Sequence, residues 1–204
     1  MYKTKVVHIG GIPIGGGNPI VIQSMTSTDT RDWAATIKQI HELQDAGCEI
    51  VRVAVPDIEA AEAIKKIKAA IKIPLVADIH FNHELAILSA QNGADKIRIN
   101  PGNIGSEANI KKVTDCAKAY GLPIRIGVNS GSLNKEILQK HNGKVTAEGL
   151  AESALQNVHS LEKNNFDSIV VSVKAANVQM LIKAHEILSR EISYPLHVDR
   201  KSVV

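Results

Sequence analysis

The strand-like runs of this chain open in two alternating ways, and that alternation limits what the chain can fold into. One set opens on proline: Asn18-Pro19-Ile20-Val21-Ile22, Ile73-Pro74-Leu75-Val76-Ala77, Leu122-Pro123-Ile124-Arg125-Ile126 and Tyr194-Pro195-Leu196-His197-Val198. Between them lie runs that open on an acid: Cys48-Glu49-Ile50-Val51-Arg52-Val53, Ala94-Asp95-Lys96-Ile97-Arg98-Ile99 and Phe166-Asp167-Ser168-Ile169-Val170-Val171. Helix-like periodicity follows each run, over 31–46, 56–71, 84–92, 106–120, 146–164 and 177–191. Strand–helix units repeated in series wind a parallel sheet toward a barrel. Six units are complete and a seventh begins. The expected fold is therefore α/β: a TIM-type (β/α)8 barrel truncated after about strand seven, with an N-terminal hairpin over residues 6–17.

Composition supports buried parallel strands. Aromatic residues make up only 3% of the chain against 44% hydrophobic residues overall, so Ile, Val, Leu and Ala must build the core. Strands buried on both faces read as such aliphatic runs. A net charge of +3 is too small to argue for a nucleic-acid partner, and any basic function must come from a local cluster. No apolar run approaches the roughly 18 residues of a membrane span, and the first residues lack the apolar core of a secretory signal. A cytoplasmic protein is expected. Cys48 and Cys116 stand far apart with no CxxC spacing and read as small apolar fillers rather than metal ligands. The Gly15-Gly16-Gly17 run lacks the Lys-Ser/Thr and following helix of a phosphate loop, so the hairpin is expected to plug the barrel's bottom.

Unit spacing marks one insertion. Glu49 to Asp95 spans 46 residues and Pro74 to Pro123 spans 49, whereas Asp95 to Asp167 and Pro123 to Pro195 each span 72. The extra residues fall between Asn129 and Val145, after the fifth strand, on the side where barrel enzymes build their sites. Ser130-Gly131-Ser132-Leu133 with a short helix over 134–141 is expected to cover part of the mouth.

The C-terminal strand ends should surround the site. They present Gln23 and Ser24, Arg52, Asp78 and His80, Arg98 and Asn100, Arg125 and Asn129, Ser172 and Lys174, and finally His197. Arg52, Arg98, Arg125 and Lys174 are flanked by aliphatic residues, as in Ile97-Arg98-Ile99, and so are not ordinary solvated cations. A buried charge persists only when it is paired or meets a ligand. Asp78 neutralises one of the four, and the remainder points to a dianion. A diphosphate suits guanidinium forks. The competing reading pairs individual arginines with acids on the outer helices or with strand-bottom residues. Asn100-Pro101-Gly102-Asn103-Ile104-Gly105 forms a turn into a helix whose N–H groups near Gly105 could also face an anion. His80 reads equally as a proton donor or as a plain hydrogen-bonding partner. No other histidine shows metal spacing.

Five strings in this order resemble the 4-hydroxy-3-methylbut-2-enyl diphosphate synthase family of the non-mevalonate isoprenoid pathway. They are Gln23-Ser24-Met25-Thr26, Ala77-Asp78-Ile79-His80-Phe81, Arg98-Ile99-Asn100-Pro101-Gly102-Asn103-Ile104-Gly105, Arg125-Ile126-Gly127-Val128-Asn129-Ser130-Gly131-Ser132-Leu133 and Ser172-Val173-Lys174. The likeness runs from about Thr4 to His197. It implies an oxidoreductase that reductively opens 2-C-methyl-D-erythritol 2,4-cyclodiphosphate with loss of water, taking two electrons from flavodoxin or ferredoxin through a [4Fe-4S] cluster. It also implies a homodimer in which a C-terminal cluster domain caps the partner's barrel. By position, Arg52, Arg98, Arg125 and Lys174 correspond to the diphosphate-gripping residues. Asp78, His80, Asn100, Asn129, Ser172 and Gln23 correspond to supporting polar groups.

The likeness stops at the end of the chain. The family continues past His197 into Leu-Gly-Val/Ile-Thr-Glu-Ala-Gly, whose glutamate is an active-site acid, whereas this chain reads Val198-Asp199-Arg200-Lys201-Ser202-Val203-Val204. The expected organisation is a substrate-binding barrel over 1–198, a non-family tail over 199–204, and no iron–sulfur domain. No catalytic residue is therefore assigned, and the cluster ligands are expected to be absent. Such a barrel should be an open arc of limited stability that binds the diphosphate but does not turn it over alone. Two other readings stay open: a pterin-binding transferase-like barrel related to dihydropteroate synthase, and a non-catalytic diphosphate-binding module.

Overall fold

The structure is a computed structural model and describes residues 4–198; the tail expected over 199–204 lies outside the described residues. The chain begins with an antiparallel hairpin of β1 (Val7–Ile9) and β2 (Ile12–Ile14), reversed at Gly10 and Gly11 with φ of 51° and 91°. At Gly10 a side chain would also strike the Pro74 ring, 2.9 Å from where its Cβ would stand. The Gly15–Gly17 stretch does not make this reversal; it leads the chain out of the hairpin.

Strand and helix then alternate: β3 (Gln23–Met25), α1 (Trp33–Asp45), β4 (Ile50–Ala54), α2 (Ile58–Ala70), β5 (Leu75–Asp78), α3 (His83–Gln91) and β6 (Lys96–Ile99). The short α4 (Pro101–Ile104) precedes α5 (Glu107–Ala119), β7 (Ile124–Asn129), a 3-10 turn over Ser130–Ser132, α6 (Lys135–Lys140), α7 (Ala147–Glu162), β8 (Ile169–Lys174) and α8 (Val178–Glu191). The six strands β3 to β8 pair in sequence order, all parallel. Leu196 adds a parallel bridge to Val171, the start of a seventh strand. Among the described residues the sheet stays open between Leu196 and β3, the truncated TIM-type arc that the repeat predicts. No described helix is long and apolar enough to cross a membrane.

The repeat has local causes. Every described α-helix starts on an Asx, Ser or Thr side chain that accepts a backbone N–H: Asp32, Asp57, Asn82, Asn100, Ser106, Asn134, Thr146 and Asn177. Each such cap stabilises its helix by about 1 kcal/mol, and together they set helix starts within two residues of the expected ones, α3 beginning one residue early at His83. Two of the three acidic strand openers join neighbouring strands, whereas the third, Asp167, pairs with Lys5 Nζ at 3.2 Å. Glu49 Oε2 accepts the Ile22 N–H at 2.8 Å, and Asp95 Oδ2 accepts both the Leu75 N–H and Lys68 Nζ at 2.7 Å. Each of these two acids thus ties down the proline-opened strand before it.

The expected first strand over 19–22 is corrected. Only Gln23–Met25 is strand, with Ile20 95% and Ile22 60% exposed, because this edge has a partner on one side only. Packing separates into two layers. Val51, Val53, Ala77, Ile97, Ile99, Ile124, Ile126, Val171 and Val173 face the helices in the main core. Ile9, Ile50 and Val76 form a small second cluster that seats the hairpin against the barrel floor, as expected. Two large apolar residues at helix starts lie at the surface: Ile58 is 60% exposed, and Trp33 is 41% exposed beneath Lys66 Nζ, 4.9 Å from its ring centre.

Candidate anion-binding site

Alternation along each strand turns every second side chain away from the helices and toward the barrel axis. Register then lines these side chains up in rows. Met25, Arg52, Val76 and Lys96 are successive partners across β3 to β6. One row higher stand Ala54, Asp78, Arg98, Arg125 and Val170. Above these, Gly127 pairs with Ser172, and Asn129 with Lys174.

Asp78 is the hub. Its Oδ1 accepts Arg98 Nη1 at 3.0 Å, and its Oδ2 lies 3.6 Å from Arg52 Nε and 3.7 Å from His80 Nε2. The carboxylate therefore orients two guanidiniums, not the one anticipated, although in charge it offsets only one. Arg98 and Arg125 are 6% and 1% exposed, and Arg98 gives its ion pair to Asp78 on the neighbouring strand rather than to an outer-helix acid. Arg52 also donates Nε to Met25 Sδ at 3.0 Å. Arg98 Nε and Ser172 Oγ are buried with no hydrogen-bond partner among the described residues. Buried donors without partners are costly, and both point to a ligand that would satisfy them. Gly127 makes room for this geometry: a Cβ there would stand 2.5 Å from Arg98 Nε and 2.6 Å from its Nη2.

The remaining expected residues fall as follows. Arg125 is the second residue of β7, not its tip; the stagger of the strands brings it level with Asp78 and Arg98. Asn129 and Lys174 end adjacent strands in register, both half-buried. Asn100 is buried but uses its side chain to accept the Gly102 N–H at 3.2 Å, capping α4. At the N-terminus of α5 the Ser106 hydroxyl accepts the Asn109 N–H as the cap. His80 lies at the exposed rim, its ring edge-on to Phe81. Ser24 is in register with Val51 and so faces the helices, not the site. His197 borders a cavity of about 510 Å³ in the open wall between Leu196 and β3, together with Gln23 and Val170. That cavity is the gap in the barrel wall rather than the cation cluster. The inserted segment packs on α7, where Lys140 Nζ meets Glu152 at 2.9 Å.

Lys96 is absent from the expected set. It is 1% exposed, and its Nζ reaches from β6 across the interior to Gln23 Oε1 on β3, at 3.1 Å. Gln23 thus serves the lower row, not the mouth. Burial, and then Arg125 and Arg52 nearby, push the Lys96 ammonium well below the usual lysine range. Its position two residues before Arg98 in Lys96-Ile97-Arg98 was the signal that the two share a face.

The family model described as the GcpE TIM-barrel domain matches residues 4–199. The 4-hydroxy-3-methylbut-2-en-1-yl diphosphate synthase (flavodoxin) of Caldanaerobacter subterraneus subsp. tengcongensis is 58% identical over 195 residues, covering 96% of this chain and 55% of that protein. Its namesake in Fusobacterium nucleatum is 53% identical over 196 residues, again covering 96% of this chain and 55% of the relative. The chain therefore spans about half the length of the curated relatives it matches. Among solved structures, dihydropteroate synthase from Xanthomonas albilineans in complex with 7,8-dihydropteroate superposes with a TM-score of 0.67 at 14% identity, over 95% of this chain and 75% of that one. At such identity the likeness is one of fold alone.

Proposed function

The chain belongs to the GcpE TIM-barrel family, and from that premise we propose that it is the substrate-binding barrel of a 4-hydroxy-3-methylbut-2-enyl diphosphate synthase. The ligand in this reading is 2-C-methyl-D-erythritol 2,4-cyclodiphosphate, and the reaction of the whole protein is its reductive ring opening with loss of water. One observation carries the reading: among the described residues, the axis-facing rows bring Arg52, Arg98, Arg125 and Lys96 together with the Asp78 carboxylate, and Lys174 stands at the end of the adjoining strand β8. A diphosphate carries the charge and the paired oxygens that this set lacks.

Each residue then has a definite task. Arg98 and Arg125 hold phosphate oxygens, with Arg98 Nε and Ser172 Oγ supplying donors that the protein leaves unsatisfied. Asp78 keeps Arg98 and Arg52 aimed before the ligand arrives, so the site does not reorganise on binding. Lys174 and Asn129 close over the ligand from the strand ends. His80, at the rim within 3.7 Å of Asp78, stands where an imidazole can pass a proton to a leaving oxygen.

The residues of this chain do not fit an iron–sulfur cluster. No three His, Cys, Asp or Glu side chains come together among the described residues. The Cys48 thiol donates to Ile50 O, and burial raises the pKa of both Cys48 and Cys116, away from the thiolate a cluster needs. The [4Fe-4S] cluster, the flavodoxin or ferredoxin donor, the homodimer and a cytoplasmic location belong, in this reading, to the whole protein. The domain division proposed is a barrel over 1–198 with the reductive machinery outside it.

Calorimetry distinguishes this reading from the pterin-binding alternative. The cyclic diphosphate is expected to bind one to one and a dihydropterin diphosphate to give no heat. Binding of the pterin compound without the cyclic diphosphate overturns the proposal.

A further inference from the structure

We propose that Lys96 is a positioning residue of the anion site, and that it joins the complex by taking up one proton from solvent as a dianion binds. This rests on the diphosphate reading above and adds a proton to its stoichiometry. Lys96 is 1% exposed, and its one hydrogen bond among the described residues is to a neutral amide, Gln23 Oε1. The groups facing it can be named strand by strand. β3 offers Gln23 and Met25, β4 offers Arg52 and Ile50, β5 offers Val76, β7 offers Arg125 and β8 offers Val170. Asp78, one row up, is the one carboxylate in the two rows, and it is already engaged by Arg98 and Arg52. The apolar cluster of Ile9, Ile50 and Val76 lies on the floor side of Lys96, and the nearby wall cavity bordered by Gln23, Val170 and His197 leaves Lys96 itself almost fully buried.

An ammonium placed there has two guanidinium neighbours, no counterion and no solvent, so the empty barrel holds Lys96 as the amine. A dianion seated against Arg52, Arg98 and Arg125 reverses the local sign. The amine then gains a proton, R–NH2 + H⁺ → R–NH3⁺, with no bond in the ligand made or broken. The ammonium faces the ligand from below, completing a ring of cations that the free protein could not keep charged throughout.

The test is calorimetry at about pH 8, where histidine at its ordinary pKa is neutral, in several buffers of different ionisation enthalpy. Two ligands are used: 2-C-methyl-D-erythritol 2,4-cyclodiphosphate and symmetrical dimethyl diphosphate. In both, each phosphorus is already esterified, so neither ligand titrates near neutrality. The expected slope of heat against buffer enthalpy is about one proton taken up per dianion, and affinity falls about tenfold per pH unit as pH rises. Lys96→Met is expected to bind more weakly with a slope near zero. Lys96→Arg, a permanent cation, should also show no uptake, and thermal melts confirm that each variant is folded. A zero slope in the unmodified protein, or an unchanged slope in Lys96→Met, overturns the inference and leaves the functional reading standing. Uptake with dimethyl diphosphate but no binding of the cyclic compound supports the inference and overturns that reading. Failure of both ligands overturns both.

Discussion

Two faces of the same strands have opposite chemistry. On β6, Ile97 and Ile99 pack against the helices while Lys96 and Arg98 face the axis; on β7, Ile124 and Ile126 face out while Arg125 faces in. The outer layer is dominated by aliphatic side chains and supplies the burial that drives folding. The inner layer above the floor collects desolvated cations, which oppose folding unless something offsets them. Because side chains alternate with a period of two, neighbouring residues in the chain serve stability and binding separately. A barrel can therefore carry a costly site without diluting its core.

The sharpest way to break this comparison is to mutate two adjacent residues. Arg125→Met removes a fully buried cation but keeps most of the volume. It is expected to weaken the cyclic diphosphate by about 30- to 1000-fold, roughly 2–4 kcal/mol. Ile126→Ala, one residue on, is expected to lose about 2–5 kcal/mol of stability and keep ligand affinity within about twofold when assayed well below its melt. Chemical denaturation and calorimetry on the two variants check the pair. Similar effects on both measurements in both variants would erase the division between faces.

Asp95 belongs to neither face. It closes the strand bottoms by accepting the Leu75 N–H and Lys68 Nζ. Asp95→Ala should cost about 1.5–3 kcal/mol, the scale of hydrogen bonds to a charged group, with ligand affinity unchanged. A drop in affinity would mean that the floor and the site are mechanically coupled.

Gly127→Ala sharpens the comparison from inside the site. Its Cβ would stand 2.5 Å from Arg98 Nε, so the guanidinium must swing away from Asp78. The expected cost is about 1–3 kcal/mol of strain, with calorimetry showing weaker binding and no change of stoichiometry. An unchanged affinity would show that Arg98 reaches the ligand from another position.

How much of this was legible beforehand depends on which forces decide each feature. The parallel repeat is written in local signals (prolines, acids and caps), and those act over a few residues. The interior placement of Arg52, Arg98 and Arg125 is legible because a cation between two isoleucines or valines has only one face to occupy. Residues 19–22 read as strand by propensity, yet they lack a second neighbour, which no propensity records. Ser24 sits in a strand of three residues, and its face is set only by register with Val51. The depth of Arg125 depends on stagger between strands, a property of the whole arc. Lys96 directly follows Asp95, yet the structure gives Asp95 to Lys68 and turns Lys96 inward.

The pH dependence of stability is the most diagnostic of the inner face. In the folded, empty barrel Lys96 has its pKa pushed well down, first by burial and then by Arg125 and Arg52, whereas unfolded it titrates near 10.4. Between those two values the unfolded state binds the extra proton, so stability rises with pH, by at most about 1.4 kcal/mol per pH unit. Below the lowered folded value both states hold the proton and this slope vanishes. Denaturant titrations from about pH 7 to 9.5 on the unmodified protein and on Lys96→Met isolate the difference, since every other lysine and tyrosine is common to both. The variant is expected to be the more stable at the low end, with the gap narrowing as pH climbs. Ligand affinity should move the opposite way over the same range, falling as the empty barrel gains stability. A gap that stays constant across the range would mean that Lys96 keeps its proton on folding, and that the inner face stays fully charged even when empty.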